Sequence, residues 1–73
     1  MNRIALLSPV ALIDDVPQRG LTKGQMGTVV EFLRRGEEEA LLVEFSDENG
    51  HTYAMADLKP DQLLALHRNT EAA

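Results

Sequence analysis

The stretch "ALLVEFSDENGHTYAMA", residues 40–56, consists of two apolar runs joined by a polar loop that contains Asn49-Gly50. Large apolar side chains occupy every second position of the first run, which is typical of a β-strand with one buried face (Leu41, Val43, Phe45). Asn-Gly between two such runs is a strong local signal for a hairpin turn. The stretch therefore predicts a β-hairpin.

Two loop lengths are compatible with this hairpin. A two-residue loop would place Tyr53 opposite Ser46, whereas a three-residue loop, residues 48–50, places Tyr53 opposite Phe45 and requires φ > 0 at Gly50. Only the second register puts the large apolar groups of both runs on one face, and a shift of one residue would move them to the other. We predict the three-residue loop.

Further runs of aliphatic and β-branched residues bring the number of candidate strands to five, at residues 10–16, 27–33, 40–45, 52–56 and 63–67. Five short strands separated by glycine-containing turns are typical of a small, partly open barrel. Pro60 predicts a single helical turn at residues 60–62, with proline in its first position. The alternative is a longer helix over residues 60–68, since Leu63 and Leu66 are three positions apart.

A chain of 73 residues, 44% of them hydrophobic, is expected to form one domain over residues 1–73. We expect its folded part to span about residues 10–67, with flexible termini at residues 1–7 and 68–73. Alternation within the runs predicts a core of Val10 or Leu12, Val30, Phe32, Leu41, Val43, Phe45, Tyr53, Met55 and Leu63.

The chain contains no cysteine, so it can form no disulfide, thiolate nucleophile or cysteine zinc site. This composition suits a reducing compartment. The apolar run at residues 4–13 is interrupted by Ser8 and Pro9, and no cleavage-site pattern follows it. No apolar stretch approaches the roughly 20 residues that a membrane span needs. We expect a soluble cytoplasmic protein.

The formal net charge is −5, from twelve acidic and seven basic residues. Six of the acids fall within residues 37–48, a segment without a base: Glu37, Glu38, Glu39, Glu44, Asp47 and Glu48. One interpretation is a solvated hairpin that keeps the chain in solution. The other is a docking face for a partner protein with a basic surface.

The acidic loop resembles a calcium site only superficially. If Gly50 were the glycine at the sixth position of an EF-hand loop, Phe45 and Ala56 would occupy the first and twelfth positions, where ligands are needed. His51 and His67 are sixteen residues apart and are more typical of surface residues than of ligands. The sequence predicts no metal site here.

Catalytic patterns are also absent. The glycine-rich segment at residues 20–27 lacks the Gly-Lys-Ser/Thr ending of a phosphate-binding loop. Neither serine, Ser8 or Ser46, lies in a nucleophile elbow. Asp14, Asp15 and Asp57 could bind Mg²⁺, but solvated loop carboxylates are the commoner reading. We expect no catalytic residue, no cofactor and no enzymatic activity.

The segment "KGQMGTVVEFL" (23–33) is similar to the KOW-type element of SH3-like barrels, in which two glycines precede a valine-rich strand. The combined runs "VALIDDVPQRGLTKGQMGTVVEFL", "LLVEFSDENGHTYAMADL" and "QLLAL" resemble a bacterial family known as domain of unknown function 4926. This resemblance implies an all-β, five-stranded SH3-like (KOW-like) barrel without an established activity. KOW-like relatives would bind RNA or ribosomal protein through basic loops, from which the acidic segment 37–48 departs.

Two functional hypotheses follow. The first is a non-catalytic protein-interaction module that binds a basic partner protein through the six acidic residues, as an adaptor or as an antitoxin or immunity-like protein. The second is a KOW-like nucleic-acid or ribosome-associated protein, with contacts from Arg19, Lys23, Arg34 and Arg35. Against the second, core packing is expected to claim the aromatic residues that base stacking would need.

Overall fold

The computed structural model describes residues 4–66. These residues form five β-strands and two short 3₁₀ turns: β1 Pro9–Leu12, the first turn Pro17–Arg19, β2 Met26–Arg35, β3 Glu38–Ser46, β4 Thr52–Leu58, the second turn Pro60–Gln62, and β5 Leu63–Ala65. All five predicted strands are therefore present, although β1 ends before the Asp14-Asp15 pair. None of the helical segments in this range is long and apolar enough to cross a membrane.

The strands form one antiparallel sheet in the order β4-β3-β2-β1-β5. Each strand contributes residues to a single buried cluster, so the sheet curls around its own inner face. The all-β prediction of a partly open five-stranded barrel is confirmed. The predicted helical turn at Pro60–Gln62 is also confirmed. The alternative helix over residues 60–68 is wrong, because β5 begins at Leu63 and pairs with β1.

The core consists of aliphatic residues around one phenylalanine: Val10, Leu12, Val16, Leu21, Val29, Leu41, Val43, Phe45, Ala56, Leu58, Leu63 and Ala65. Val16 and Leu21 lie in the long β1–β2 loop and exchange two backbone hydrogen bonds, which fold that loop onto the barrel. A Cβ atom on Gly27 would lie 2.7 Å from Val43 Cγ1, so the absent side chain lets β2 approach the core side chains of β3.

A β-bulge in β2 overturns part of the predicted core. Val29 pairs with Val43 and Glu31 pairs with Leu42, so Val30 is an extra residue of β2 with no counterpart in the register of β3. As a result Val29 is fully buried, whereas Val30, the predicted core residue, is only partly buried. The prediction of Val30 as a core residue is therefore wrong by one position.

The same bulge determines the position of Phe32. Phe32 lies opposite the buried Leu41 and so shares its face of the sheet. It nevertheless remains 53% exposed. Its predicted place in the core is wrong.

The β3–β4 hairpin has the predicted three-residue loop. The Asp47 amide donates to the His51 carbonyl at 2.9 Å, and Gly50 has φ of 83°. A second bulge follows at once, since Ser46 pairs with Thr52 but Phe45 pairs with Ala54.

This second bulge leaves Tyr53 as the extra residue of β4, and Tyr53 and Met55 are 52% and 46% exposed. The predicted pairing of Phe45 with Tyr53 is therefore wrong, as are the core positions of Tyr53 and Met55. Small Ala54 and Ala56 take their places opposite Phe45 and Val43.

The termini lie mostly outside the described residues, which exclude 1–3 and 67–73 and so also His67. Residues 4–7, within the segment predicted to be flexible, contact the barrel. The Leu7 amide donates to the Val29 carbonyl at 2.6 Å, and Ile4 packs against the core.

Candidate functional site

The outer part of the β2–β3 hairpin forms one wall of an open apolar groove. The hairpin reaches beyond the core because β2 and β3 pair as far as Arg35 and Glu38, where Gly36 turns the chain with φ of 63°. The groove has a volume of about 470 Å³ and is lined by Ile4, Phe32, Leu33, Arg34, Glu39, Ala40, Leu41 and Pro60. We call it the Phe32 groove.

The second 3₁₀ turn forms the opposite wall of the Phe32 groove. Pro60 begins this turn, and a pair of hydrogen bonds closes it: the Lys59 amide donates to Gln62 Oε1 at 2.8 Å, and the Gln62 amide donates to the Lys59 carbonyl at 2.9 Å. The turn contacts β3. Pro60 is therefore held in place at the groove that Phe32 also lines.

A charged depression continues from the apolar groove and shares Arg34, Glu39 and Pro60 with it. We call this depression the acidic rim; it is lined by Arg34, Glu37, Glu38, Glu39, Lys59, Pro60 and Asp61. Its side chains supply four carboxylates and two cations, so the rim carries a net negative charge.

One of the two cations of the acidic rim is already paired with a carboxylate. Arg34 Nη2 lies 3.4 Å from Glu39 Oε2, and both side chains are largely exposed. Glu37 and Glu38 have no ion-pair partner within residues 4–66. These two carboxylates can therefore contribute most directly to binding a cation.

The other three predicted acidic residues lie elsewhere. Glu44 lies on β3 between Thr28 and Met55. Glu38 begins β3, whereas Asp47 and Glu48 follow its last residue, Ser46, and belong to the β3–β4 connection. The eight residue steps from Glu38 to Ser46 correspond to about 26 Å of extended strand. The structure therefore divides the six acids between two regions instead of joining them in one surface.

Asp47 has a structural task in its own loop. Its Oδ1 atom accepts hydrogen bonds from the Asn49 and His51 amides, both at 2.9 Å. Asp47 thus accepts hydrogen bonds from two backbone amides that would otherwise bond to water. The dense polar stretch around Asn49-Gly50 is accounted for as a stabilised turn.

The four arginine and lysine residues proposed for nucleic-acid contact are largely committed to partners within the chain. Arg19 Nη2 lies 2.7 Å from Asp57 Oδ1, and Arg35 Nη2 lies 3.1 Å from Asp57 Oδ2. Arg34 pairs with Glu39. Lys23 lies in the β1–β2 loop, where its amide donates to Asp15 Oδ1 at 2.8 Å. Three of the four cations therefore lie beside carboxylates, which weakens the field that phosphates would meet.

Two of the three carboxylates considered for Mg²⁺ have other partners within the chain. Asp15 binds the Lys23 amide, whereas Asp57 binds two arginines. His51 Nδ1 lies 3.9 Å from Asp47 Oδ2. Within the described part of the chain, no group of three histidine, aspartate or glutamate side chains is placed to hold a metal ion.

The Phe32 groove was not predicted from the sequence, although Glu37, Glu38 and Glu39 on its rim were. Phe32 belongs to a run that is typical of a buried strand, and the bulge at Val30 places it on the face of Leu41, where its ring is nevertheless 53% exposed. Its second wall comes from Pro60, which is 28 positions away in sequence. No local pattern connects the two.

Comparison with known proteins yields a family but no characterised relative. No curated protein and no solved structure matches the chain. The family model described as domain of unknown function (DUF4926) matches residues 6–65, which include all five strands and nearly all of the groove. Since this match extends over most of the 73 residues, the chain belongs to the DUF4926 family.

Proposed function

We propose that this protein is a non-catalytic interaction module that binds a partner protein with a basic surface. The observation that carries the proposal is the acidic rim, where Glu37 and Glu38 have no ion-pair partner among the described residues and adjoin an apolar groove. A polar rim around an apolar centre is the usual anatomy of a protein interface. The net charge of −5 supports attraction of a cationic partner.

The proposed biological role is that of an adaptor, or of an antitoxin or immunity-like protein that covers the basic surface of its partner. A chain without cysteine suits the reducing conditions of the cytoplasm, where we place it. The proposal assigns no catalytic residue and no cofactor. Binding of this kind needs only shape and charge.

The test begins with a partner captured from the source organism, identified by mass spectrometry and purified. Association rates are then measured by surface plasmon resonance at about 0.15 M salt, where the Debye length is about 8 Å. The variant Glu37→Lys/Glu38→Lys should bind roughly tenfold more slowly or worse, because complementary charge acts mainly on the on-rate. Its free energy of unfolding should change by no more than about 1 kcal/mol for each exposed position.

The matched control is Glu44→Lys/Glu48→Lys, which changes the net charge equally but lies away from the acidic rim. This control should leave the association rate within about twofold of the wild type at this salt concentration, because charges beyond a Debye length are screened. If association slows equally in both variants, or in neither, the acidic rim is not part of the interface.

Nucleic-acid binding is the rival hypothesis and makes the opposite prediction. The glutamate reversals would then strengthen binding to labelled RNA or DNA, and Lys23→Ala would weaken it. We expect no specific RNA or DNA complex tighter than about 1 μM at 0.15 M salt, since non-specific binding lies in the range of about 10⁻⁴–10⁻⁶ M. A tighter complex would overturn the protein-partner proposal.

A further inference from the structure

We infer that the Phe32 groove holds an extended segment of the partner chain in which one large apolar side chain has a lysine or arginine two positions before it, two positions after it, or both. The inference rests on the proposed function and adds the chemistry of the bound segment. The apolar side chain would contact Phe32, and the basic side chains would lie on the acidic rim.

The apolar half of the site is large enough to hold an anchoring side chain together with the backbone that carries it. Its volume of about 470 Å³ falls in the range of roughly 300–1,000 Å³ that is typical of ligand sites. Besides Phe32, its lining includes Ile4, Leu33 and Pro60, which are at least partly exposed and offer mainly carbon surface. An aromatic or branched aliphatic group would remove this surface from water, which is the main source of affinity at the centre of an interface.

The charged half adjoins the apolar half. Its net charge determines which sign of charge is favoured on the peptide side chain that lies there. Glu39 cancels much of the charge of Arg34, so Lys59 is opposed by Glu37, Glu38 and Asp61. Charge complementarity therefore favours a cationic occupant over a nucleic acid or an anionic membrane surface.

The arrangement of the two halves favours a chain over a compact molecule. They are continuous through Arg34, Glu39 and Pro60 and open to solvent along the hairpin. In an extended peptide, side chains two residues apart point to the same side and lie about 6.6 Å apart, so an apolar and a basic residue at such positions would reach the two halves together.

The experiment selects phage-displayed random 12-residue peptides against the immobilised chain of residues 1–73. Enriched peptides are synthesised with a fluorescent label, and their dissociation constants are measured by fluorescence polarisation at about 0.15 M salt. Each enriched peptide is also made with glycine in place of its apolar residue. We expect enrichment of a large apolar residue two positions from a lysine or arginine.

Two pairs of protein variants locate the bound peptide. Phe32→Ala should raise the dissociation constant about tenfold or more, as truncation of an anchoring contact does. Tyr53→Ala, which removes an aromatic ring of nearly equal exposure near the other end of β3, should change it by less than about twofold. Glu37→Gln/Glu38→Gln should weaken binding more than Glu44→Gln/Glu48→Gln. Thermal unfolding of each variant checks that the barrel is retained.

The outcomes separate the inference from the proposed function. Binding that depends on Glu37 and Glu38 but survives Phe32→Ala and the glycine peptide would overturn the inference and leave the proposed function standing. Peptides without basic residues that bind irrespective of Glu37 and Glu38 would contradict the proposed function. Failure to enrich any peptide would overturn the inference, as would a dimer in light scattering that Phe32→Ala dissociates, since a second copy would then fill the groove.

Discussion

Two phenylalanines on the same face of the sheet have different tasks. Phe45 is fully buried between the strands, whereas Phe32 is half exposed in its groove. Phe45→Ala should lower the free energy of unfolding by about 3–5 kcal/mol through lost burial and a residual cavity. Phe32→Ala should lower it by less than about 1 kcal/mol, because little packing is lost at an exposed position.

Urea unfolding followed by far-ultraviolet circular dichroism measures both variants. Phe45→Leu is the matched control, since it retains most of the buried volume and should cost less than about 1.5 kcal/mol. Equal losses from Phe32→Ala and Phe45→Ala would mean that the ring of Phe32 belongs to the core.

Gly50 and His51 are neighbours in one loop but should respond differently to substitution. Gly50 has φ of 83° with open space around it, so Gly50→Ala is strained by backbone conformation alone and should cost about 1 kcal/mol or more. Asparagine tolerates this conformation better, so Gly50→Asn should cost less. His51→Ala should change stability by less than about 0.5 kcal/mol, because the side chain is mostly exposed.

Chemical denaturation of the three loop variants, at one pH and one salt concentration, gives the ranking. A large loss from His51→Ala, or uptake of a metal ion that depends on His51, would contradict the assignment of this loop as a turn.

At the scale of elements, Asp57 links β4 to two distant parts of the chain. It is 26% exposed, and its two oxygens bind Arg19 of the β1–β2 loop and Arg35 at the end of β2. Asp57→Ala should cost up to about 1 kcal/mol for each pair, and less at 1 M salt, where the Debye length is about 3 Å.

Hydrogen exchange locates this effect of Asp57 within the molecule. The amides of Val16 and Leu21, which bond each other's carbonyls, should exchange faster in Asp57→Ala than in the wild type. Asp61→Ala is the matched control, because Asp61 has no ion pair among residues 4–66. If both variants leave the β1–β2 loop equally protected, the linkage is not stabilising.

The elements themselves were largely predictable from sequence, whereas their registers were not. Runs of aliphatic and β-branched residues indicated all five strands, and Asn49-Gly50 indicated the three-residue loop. The bulges at Val30 and Tyr53 each shift the pairing register of a strand by one residue. The residue types at those positions do not indicate an insertion. Two residues of the core, Val16 and Leu21, were missed because a loop carries them.

The site could be predicted only where its residues are consecutive. Glu37, Glu38 and Glu39 form a local cluster that the sequence shows directly. The apolar groove needs Phe32, Pro60 and Ile4 to meet, and such contacts depend on the curvature of the sheet. Long-range juxtapositions of this kind leave no periodic signal in a single sequence.

At the scale of the whole molecule, the two acidic regions lie toward opposite ends of β3, where Glu38 is about 20 Å from Glu44 and about 26 Å from Ser46 along the strand. At about 0.01 M salt the Debye length is about 30 Å, so both regions should attract a basic partner. At 0.15 M salt it is about 8 Å, and only the region in contact should count. The association rate of Glu44→Gln/Glu48→Gln should therefore differ from wild type at low salt alone.

A rate series between these two salt concentrations measures this effect for both double variants. Glu37→Gln/Glu38→Gln should associate more slowly than wild type throughout the series. If Glu44→Gln/Glu48→Gln remains the slower variant at 0.15 M, the partner approaches the opposite end of the sheet.

The bulge at Val30 divides β2 into two stretches with different structural roles. Gly27 and Val29 before it are constrained by the packing of Val43 and Phe45, so few substitutions are compatible with folding there. Beyond the bulge, Phe32 contributes little to the core and lines the groove. If the proposed partner binds in the groove, selection for a new partner can act on one half of the strand while the other half preserves the barrel.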